Sequence, residues 1–160
     1  MMIRAALLFV LAAVAAAGYD EVQPEMGWVA DAKTEGGTTT ASGLRYVDHA
    51  VGAANAPVVA SGDTAKVMYK LYIPDANAGR KHIYSQSNPG EAFDLSAGAG
   101  SVIKGFDEAV IGMKAGGQRF AYMPHDIAYG EGGQSGFGIP GSSPLLYYLE
   151  IASINGKSEL

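Results

Sequence analysis

The chain contains no cysteine, which removes disulfides and thiol nucleophiles together and leaves stability to apolar burial. Charge is sparse as well. Only 17% of the 160 residues are Asp, Glu, Lys or Arg, and 11 scattered basic residues stand against 16 acids for a formal net charge of -5. Phosphate backbones are bound by clustered Lys and Arg, so no nucleic acid is expected as a partner. His49, His82 and His125 have no metal-like spacing to one another or to a carboxylate pair, so no metal is expected. No Gly-Lys-Ser/Thr phosphate loop and no nucleophile-elbow motif occurs. Residues 136–141 formally match Gly-x-Gly-x-x-Gly, but Pro140 sits where a dinucleotide-binding helix would have to open, and no cofactor is expected. No Asn-x-Ser/Thr sequon starts at Asn55, Asn77, Asn88 or Asn155.

Long apolar runs are scarce too. The run at residues 5–17 follows Arg4 and ends in Ala15, Ala16, Ala17 and Gly18. At about 13 residues it falls short of the roughly 17 to 25 that cross a bilayer, and it has the layout of a cleaved secretory signal peptide over residues 1–18. No stable membrane anchor is expected. The chain closes on Lys157-Ser158-Glu159-Leu160, a variant of the Lys-Asp-Glu-Leu retrieval address. Together the two ends point to the lumen of the endoplasmic reticulum, with a bacterial periplasm or secretion as the alternatives.

What is abundant is apolar residues, at 48%, and glycine, at 22 residues, many between 98 and 141. That composition suits one globular domain of short strands and tight loops. Residues 19–37 show no sustained period and read as an extended leader, and residues 38–156 as the domain. Residues 38–47 are β-prone and predict a first strand. From Ala65 the chain alternates until Pro74, with Val67, Tyr69, Leu71 and Ile73 on one face and Lys66, Met68, Lys70 and Tyr72 on the other, which predicts a half-buried strand. Extended segments are expected around His82 and Tyr84 and from Glu91 to Leu95. Gln118 to Met123 predicts a further strand, and Leu145, Tyr147, Leu149 and Ile151 alternate in a last one.

One helix stands out. Ile103, Phe106, Val110 and Met113 share a stripe, with Lys104, Asp107 and Glu108 between them. Ser101 is placed to cap the start, and Gly116-Gly117 to prevent long continuation. Several strands around one amphipathic helix give an α+β class, an antiparallel sheet with a helix on one face.

Val102-Ile103-Lys104-Gly105-Phe106-Asp107-Glu108-Ala109-Val110, then Gly116-Gly117-Gln118-Arg119, then Pro124-His125-Asp126-Ile127-Ala128-Tyr129-Gly130 resembles the central signature of the FKBP-type peptidyl-prolyl isomerases, the macrolide-binding family. The resemblance runs from about Thr38 to Asn155. It implies a curled sheet of about five strands wrapped around one short helix, and a folding helper that isomerises Xaa-Pro bonds of polypeptide clients and takes macrolide ligands. Tyr69 resembles the aromatic of the family's His-Tyr-Thr-Gly strand, and Tyr84 and Ser85 stand at Phe-Asp of its Phe-Asp-Ser-Ser. Phe93 matches the Phe ahead of the Gly98-Ala99-Gly100-Ser101 stretch. Val102 and Ile103 match the Val-Ile pair, whose second N–H binds a ligand carbonyl, and Phe106 takes the floor position usually held by Trp. Tyr129 matches the hydroxyl donor of Ala-Tyr-Gly, Ile139 the flap aliphatic, and Tyr147 the aromatic of the last strand. On this basis Tyr69, Ser85, Phe93 and Tyr129 are the candidate catalytic residues, and Tyr84, Val102, Ile103, Phe106, Ile139 and Tyr147 the candidate substrate-binding ones.

The chemistry fits those residue types. Rotation about a peptide bond faces a barrier of about 18 to 20 kcal/mol because the planar form is stabilised by charge separation. An apolar site with one or two donors favours the twisted form without a nucleophile. Ser85 departs from the family's Asp, Lys70-Leu71 from its Thr-Gly, and Tyr84 and Tyr147 add hydroxyls where it has Phe. A binding module that holds proline-containing clients without useful turnover is the alternative.

Overall fold

The computed structural model describes residues 37–75, 79–86 and 91–157, and for 74–75 and 79–86 the backbone alone. The strands are β1 (Thr38–Thr39), β2 (Arg45–Ala50), β3 (Thr64–Asp75), β4 (Gly79–Gln86), β5 (Phe93–Ser96), β6 (Gln118–Met123) and β7 (Leu145–Ile154), with helix α1 (Lys104–Val110) between β5 and β6. They form one seven-stranded sheet in the order β1-β2-β6-β7-β3-β4, with β5 also on β3. Every pairing is antiparallel. The α+β class with one short helix against the sheet is as expected. The strand count exceeds five because β1 and β5 are only two and four residues long.

The central strand β3 explains how one sheet serves two halves of a site. Its first half pairs with β5, Val67 opposite Phe93, and its second half with β4, Tyr69 opposite Gln86. Along its other edge it follows β7, with Leu71 opposite Tyr147. Its alternation is as predicted, and Lys66 on the second face is exposed, but further along that face Met68, Lys70 and Tyr72 are only 4%, 6% and 2% exposed. Tyr72 belongs to a second cluster with Phe120, Leu146 and Tyr148, with Val47 and Tyr122 against it. Residues 38–47 likewise do not form one strand. A turn closed by the Gly43 N–H donating to the Thr40 carbonyl divides β1 from β2.

Helix α1 buries Phe106, Ala109 and Val110 against the first face, beside Leu71, Leu145, Leu149 and Ile151. It is shorter than its apolar stripe. Ile111 is already extended and Gly112 takes φ +85°, a left-handed conformation open to glycine, so Met113 reaches the core from the turn beyond. Ser101 does not cap the start: Ile103 holds that position, with no side-chain bond to the helix. Close approach to β6 depends on Gly105, where a methyl group would stand 2.9 Å from the Met123 sulfur and 3.1 Å from Ile127 Cδ1. At the far end the buried Arg119 of β6 donates to the Ala109 carbonyl at 2.7 Å and to the Asp48 carboxylate at 2.6 and 3.1 Å. The same guanidinium lies 3.9 Å from the Tyr46 ring centre. Ser42 Oγ donates to the Glu108 carboxylate at 2.7 Å, which fastens the β1–β2 turn to the helix.

Candidate functional site

Phe106, in the first turn of α1, is 4% exposed and meets three aromatic rings edge-on or nearly so. Tyr69 from β3 lies at 5.5 Å and 82°, Phe93 from β5 at 6.4 Å and 78°, and Tyr147 from β7 at 5.1 Å and 84°. Tyr69 and Tyr147 also face each other at 5.8 Å. Three strands therefore converge on one helical ring, in the separations and tilts that aromatic quadrupoles favour. Tyr69 and Phe93 are only partly buried, so the frame has an accessible rim.

Hydroxyls sit close to this apolar frame. Burial pushes the Tyr147 hydroxyl far above the ordinary phenol range, and the neighbouring Tyr129 and Tyr69 hydroxyls push it the same way. Burial raises Tyr129 too. Both stay neutral at physiological pH and act as donors rather than anions. Tyr129 follows the short turn His125–Ile127, which is closed by the Ala128 and Gly130 N–H groups donating to the His125 carbonyl at 3.0 and 2.8 Å.

A further donor comes from the main chain. The Ile103 N–H has no hydrogen-bond partner among the described residues, whereas the Ile103 carbonyl accepts from Phe106 N at 3.0 Å and Asp107 N at 3.2 Å. The peptide on one side of Ile103 is tied into the helix, and the N–H on the other has no such tie among the described residues. Val102 and Ile103 are partly buried against the main core.

Ile139 is buried in that core at 3% exposure, in a tightly closed flap. Gln134 and Ile139 exchange backbone hydrogen bonds at 2.9 Å in both directions. A Cβ on Gly133 would run into the Ile139 carbonyl, and one on Gly141 into the Glu131 carbonyl, so the two arms of the flap touch backbone to backbone. The glycine-rich run at residues 136–141 thus forms part of a clasp, with a short turn at Ser135–Phe137. Phe137 at its tip is 50% exposed.

The structure brings Tyr69, Phe93 and Tyr147 each against Phe106, sets Tyr129 within electrostatic reach of Tyr147, and packs Val102, Ile103 and Ile139 on the same core. Tyr84 and Ser85 lie on β4 opposite Leu71 and Lys70, but their side chains are outside the described part. Among the described residues no three His, Asp or Glu side chains converge as metal ligands, and no helix is long and apolar enough to cross a membrane. Sequence reasoning missed Arg119 and Asp107, both charged and both buried, at 5% and 9% exposure. Asp107 was expected on the polar side of the helix; no local signal separates it from Lys104 and Glu108. Arg119 is paired with Asp48, 71 residues away, which sequence spacing does not reveal.

Known proteins with this arrangement are plentiful. The FKBP-type peptidyl-prolyl cis-trans isomerase family pattern matches residues 56–152. The peptidyl-prolyl cis-trans isomerase FKBP12 of Arabidopsis thaliana is 34% identical over 100 residues, covering 62% of this chain and 89% of the relative. FK506-binding protein 4 of Gibberella zeae is 36% identical over 124 residues, covering 78% of this chain and 23% of that longer protein. The chain thus spans less than a quarter of one relative and most of another. The crystal structure of AtFKBP13 superposes with a TM-score of 0.62 at 30% identity, over 73% of this chain and 97% of that one. FkpA from Escherichia coli does so with a TM-score of 0.65 at 26% identity, over 94% of this chain and 63% of that one. With the family pattern lying across the sheet, the helix and the flap that frame Phe106, this chain belongs to the FKBP-type peptidyl-prolyl cis-trans isomerases.

Proposed function

We propose that the domain catalyses cis/trans isomerisation of Xaa-Pro bonds in polypeptide clients, with the prolyl ring seated against Phe106 between Tyr69, Phe93 and Tyr147. The observation that carries this reading is the aromatic frame around Phe106, with Ile103, three residues ahead of it and packed on the same core, keeping an N–H that has no partner among the described residues. In the planar ground state the prolyl amide carries a polar carbonyl and a conjugated nitrogen. Twisting about the C–N bond removes the conjugation and with it the charge separation, so an environment that withholds water disfavours the planar state more than the twisted one. The Ile103 N–H and the Tyr129 hydroxyl are suited to hold carbonyl oxygens on either side of the rotating bond, which fixes the flanking chain while the bond turns. No bond is made or broken to the protein. A protease-coupled assay on Xaa-Pro-Phe peptides tests the reading: acceleration over the uncatalysed rate supports it, and none at high protein concentration overturns it.

Ser85 favours a second reading, a binding module of low turnover, because it stands where the family has a carboxylate. Binding of the macrolide FK506 without turnover would select it. The family's relatives are named for that ligand, and the same aromatic frame suits an apolar ring in either case.

The proposed workplace is the lumen of the secretory pathway, as a folding helper, with residues 1–18 as signal, 19–37 as leader, 38–156 as the isomerase domain and 157–160 as a retrieval address. The support is the pattern of Arg4 followed by an apolar run to Ala17, and the Lys157-Ser158-Glu159-Leu160 tetrapeptide. Removing residues 157–160 should release the protein into the medium; equal secretion of both forms would sink the retrieval role.

A further inference from the structure

We propose that Asp107 is a positioning residue, whose carboxylate clamps the loop that aims the Ile103 N–H; the inference rests on the isomerase or ligand-binding reading of the site. Asp107 is 9% exposed on a seven-residue helix otherwise buried through apolar groups and Gly105. Its Oδ1 accepts the Gly98 N–H at 2.6 Å and its Oδ2 the Gly100 N–H at 2.9 Å. Its own N–H donates to the Ile103 carbonyl at 3.2 Å. One residue thus holds the segment between β5 and α1 from both ends, ahead of Val102 by its side chain and at Ile103 by its backbone.

The loop is shaped for this contact. Gly98 and Gly100 take φ +75° and +69°, a conformation that L side chains rarely adopt, and both N–H groups meet the same carboxylate. Upstream the loop is pinned separately, by Ala97 N donating to the Asp63 carbonyl at 2.9 Å and Gly62 N to the Ala97 carbonyl at 2.8 Å. Between that pin and the helix, no hydrogen bond ties Ser101 or Val102 among the described residues. Without the carboxylate, the stretch leading to Ile103 would lose its two charge-assisted anchors. Phe106 adjoins Asp107 on the helix, so the clamp also sets the height of the loop over the aromatic frame.

The test compares Asp107→Asn and Asp107→Glu with Ser42→Ala, a control that frees the same helix from the β1–β2 turn without touching the loop. Asp107→Asn keeps the shape but puts an amide NH2 against one of the two N–H donors. Amide exchange at Gly98 and Gly100 should rise by about tenfold or more, and the order parameters at Val102 and Ile103 should fall. FK506 affinity should weaken by about tenfold, on the scale of one lost charge-assisted hydrogen bond, and KM should rise more than kcat falls. Ser42→Ala should leave ligand affinity within about twofold. Asp107→Glu keeps both acceptors on a longer arm and should recover part of the protection and affinity; it also serves if Asp107→Asn does not fold. An Asp107 variant that is less stable yet binds FK506 as the wild type does, at a temperature where both are folded, overturns the proposal. If the wild type neither turns over peptide nor binds FK506, the functional reading fails instead. Exchange then decides the clamp alone, and unchanged protection at Gly98 and Gly100 in both variants overturns it.

Discussion

Tyr147 and Tyr148 are neighbours on one strand and belong to two different aromatic clusters. Tyr147 joins Phe106, Tyr69 and Phe93 on the helix side of the sheet, and Tyr148 joins Phe120, Tyr72 and Leu146 on the other. Both clusters are buried and aromatic, and composition does not tell them apart. Their polar groups do. The Tyr148 hydroxyl meets the Glu150 carboxylate at 3.4 Å, which also takes Gln118 at 3.3 Å. On the helix side, the Tyr147 hydroxyl and the Ile103 N–H have no hydrogen-bond partner among the described residues. Donors left open beside an apolar frame mark the face suited to meet a ligand, where aromatic content alone would mark both.

The sharpest way to break that comparison is to hollow each cluster in turn. Phe106→Ala and Phe120→Ala should each cost about 3 to 5 kcal/mol of stability, as large core deletions do, measured by urea denaturation. Only Phe106→Ala should abolish turnover and FK506 binding in the molecules that remain folded. Equal loss of activity from Phe120→Ala would show that the two faces are not functionally distinct.

A smaller effect is expected at Ser85. On the proposed reading of the site a carboxylate at this position restores the charge that the family carries there, so Ser85→Asp should raise kcat/KM by about tenfold, equivalent to 1.4 kcal/mol, in the protease-coupled assay. A variant and a wild type that both bind ligand without turnover would favour the binding module.

Next comes Tyr129→Phe, which removes one donor and should weaken FK506 binding by about 0.5 to 1.5 kcal/mol by calorimetry. Phe93→Ala should lose more, since it removes a wall of the frame. No change in either titration would remove both residues from the site.

Much of this contrast was legible in the sequence. The period-2 alternation of β3 and β7 sorts Tyr69 from Tyr72 and Tyr147 from Tyr148, and the stripe through Phe106 and Val110 identifies the helix that covers one face. The family motifs then select which aromatics to watch. What the pattern could not carry depends on partners. Met68, Lys70 and Tyr72 alternate like solvent-facing residues, and the packing that buries them comes from strands distant in the chain. Arg119 reads as a surface charge until Asp48 is brought beside it by β2–β6 pairing. Asp107 reads as one more polar helix residue, because spacing along a helix says nothing of a loop folding back over it. Residues 38–47 are β-prone throughout, and a single tight turn suffices to split them.

The smallest effect at neutral pH, and the one most specific to the open hydroxyl, is expected for Tyr147→Phe. Burial and the nearby phenols raise the Tyr147 hydroxyl above its ordinary value of 10.0, so the folded state prefers the protonated form more strongly than the unfolded state does. Below pH 10 both states hold the proton and the difference is invisible. Above it the unfolded chain releases the proton first, and stability falls with rising pH by about 1.4 kcal/mol per unit until the folded value is reached. Phenylalanine has no proton to lose. The variant should therefore match or slightly exceed the wild type at pH 7, since it removes an unpartnered hydroxyl, and then separate from it steadily between pH 10 and pH 11. Tyr148→Phe, removing a hydroxyl that already has a carboxylate partner, should not reproduce the gain at neutral pH. Urea midpoints measured across that range decide the matter: wild-type and Tyr147→Phe curves running parallel through pH 11 would mean that this hydroxyl is solvated like any surface phenol, and the distinction drawn between the two clusters would rest on the Ile103 N–H alone.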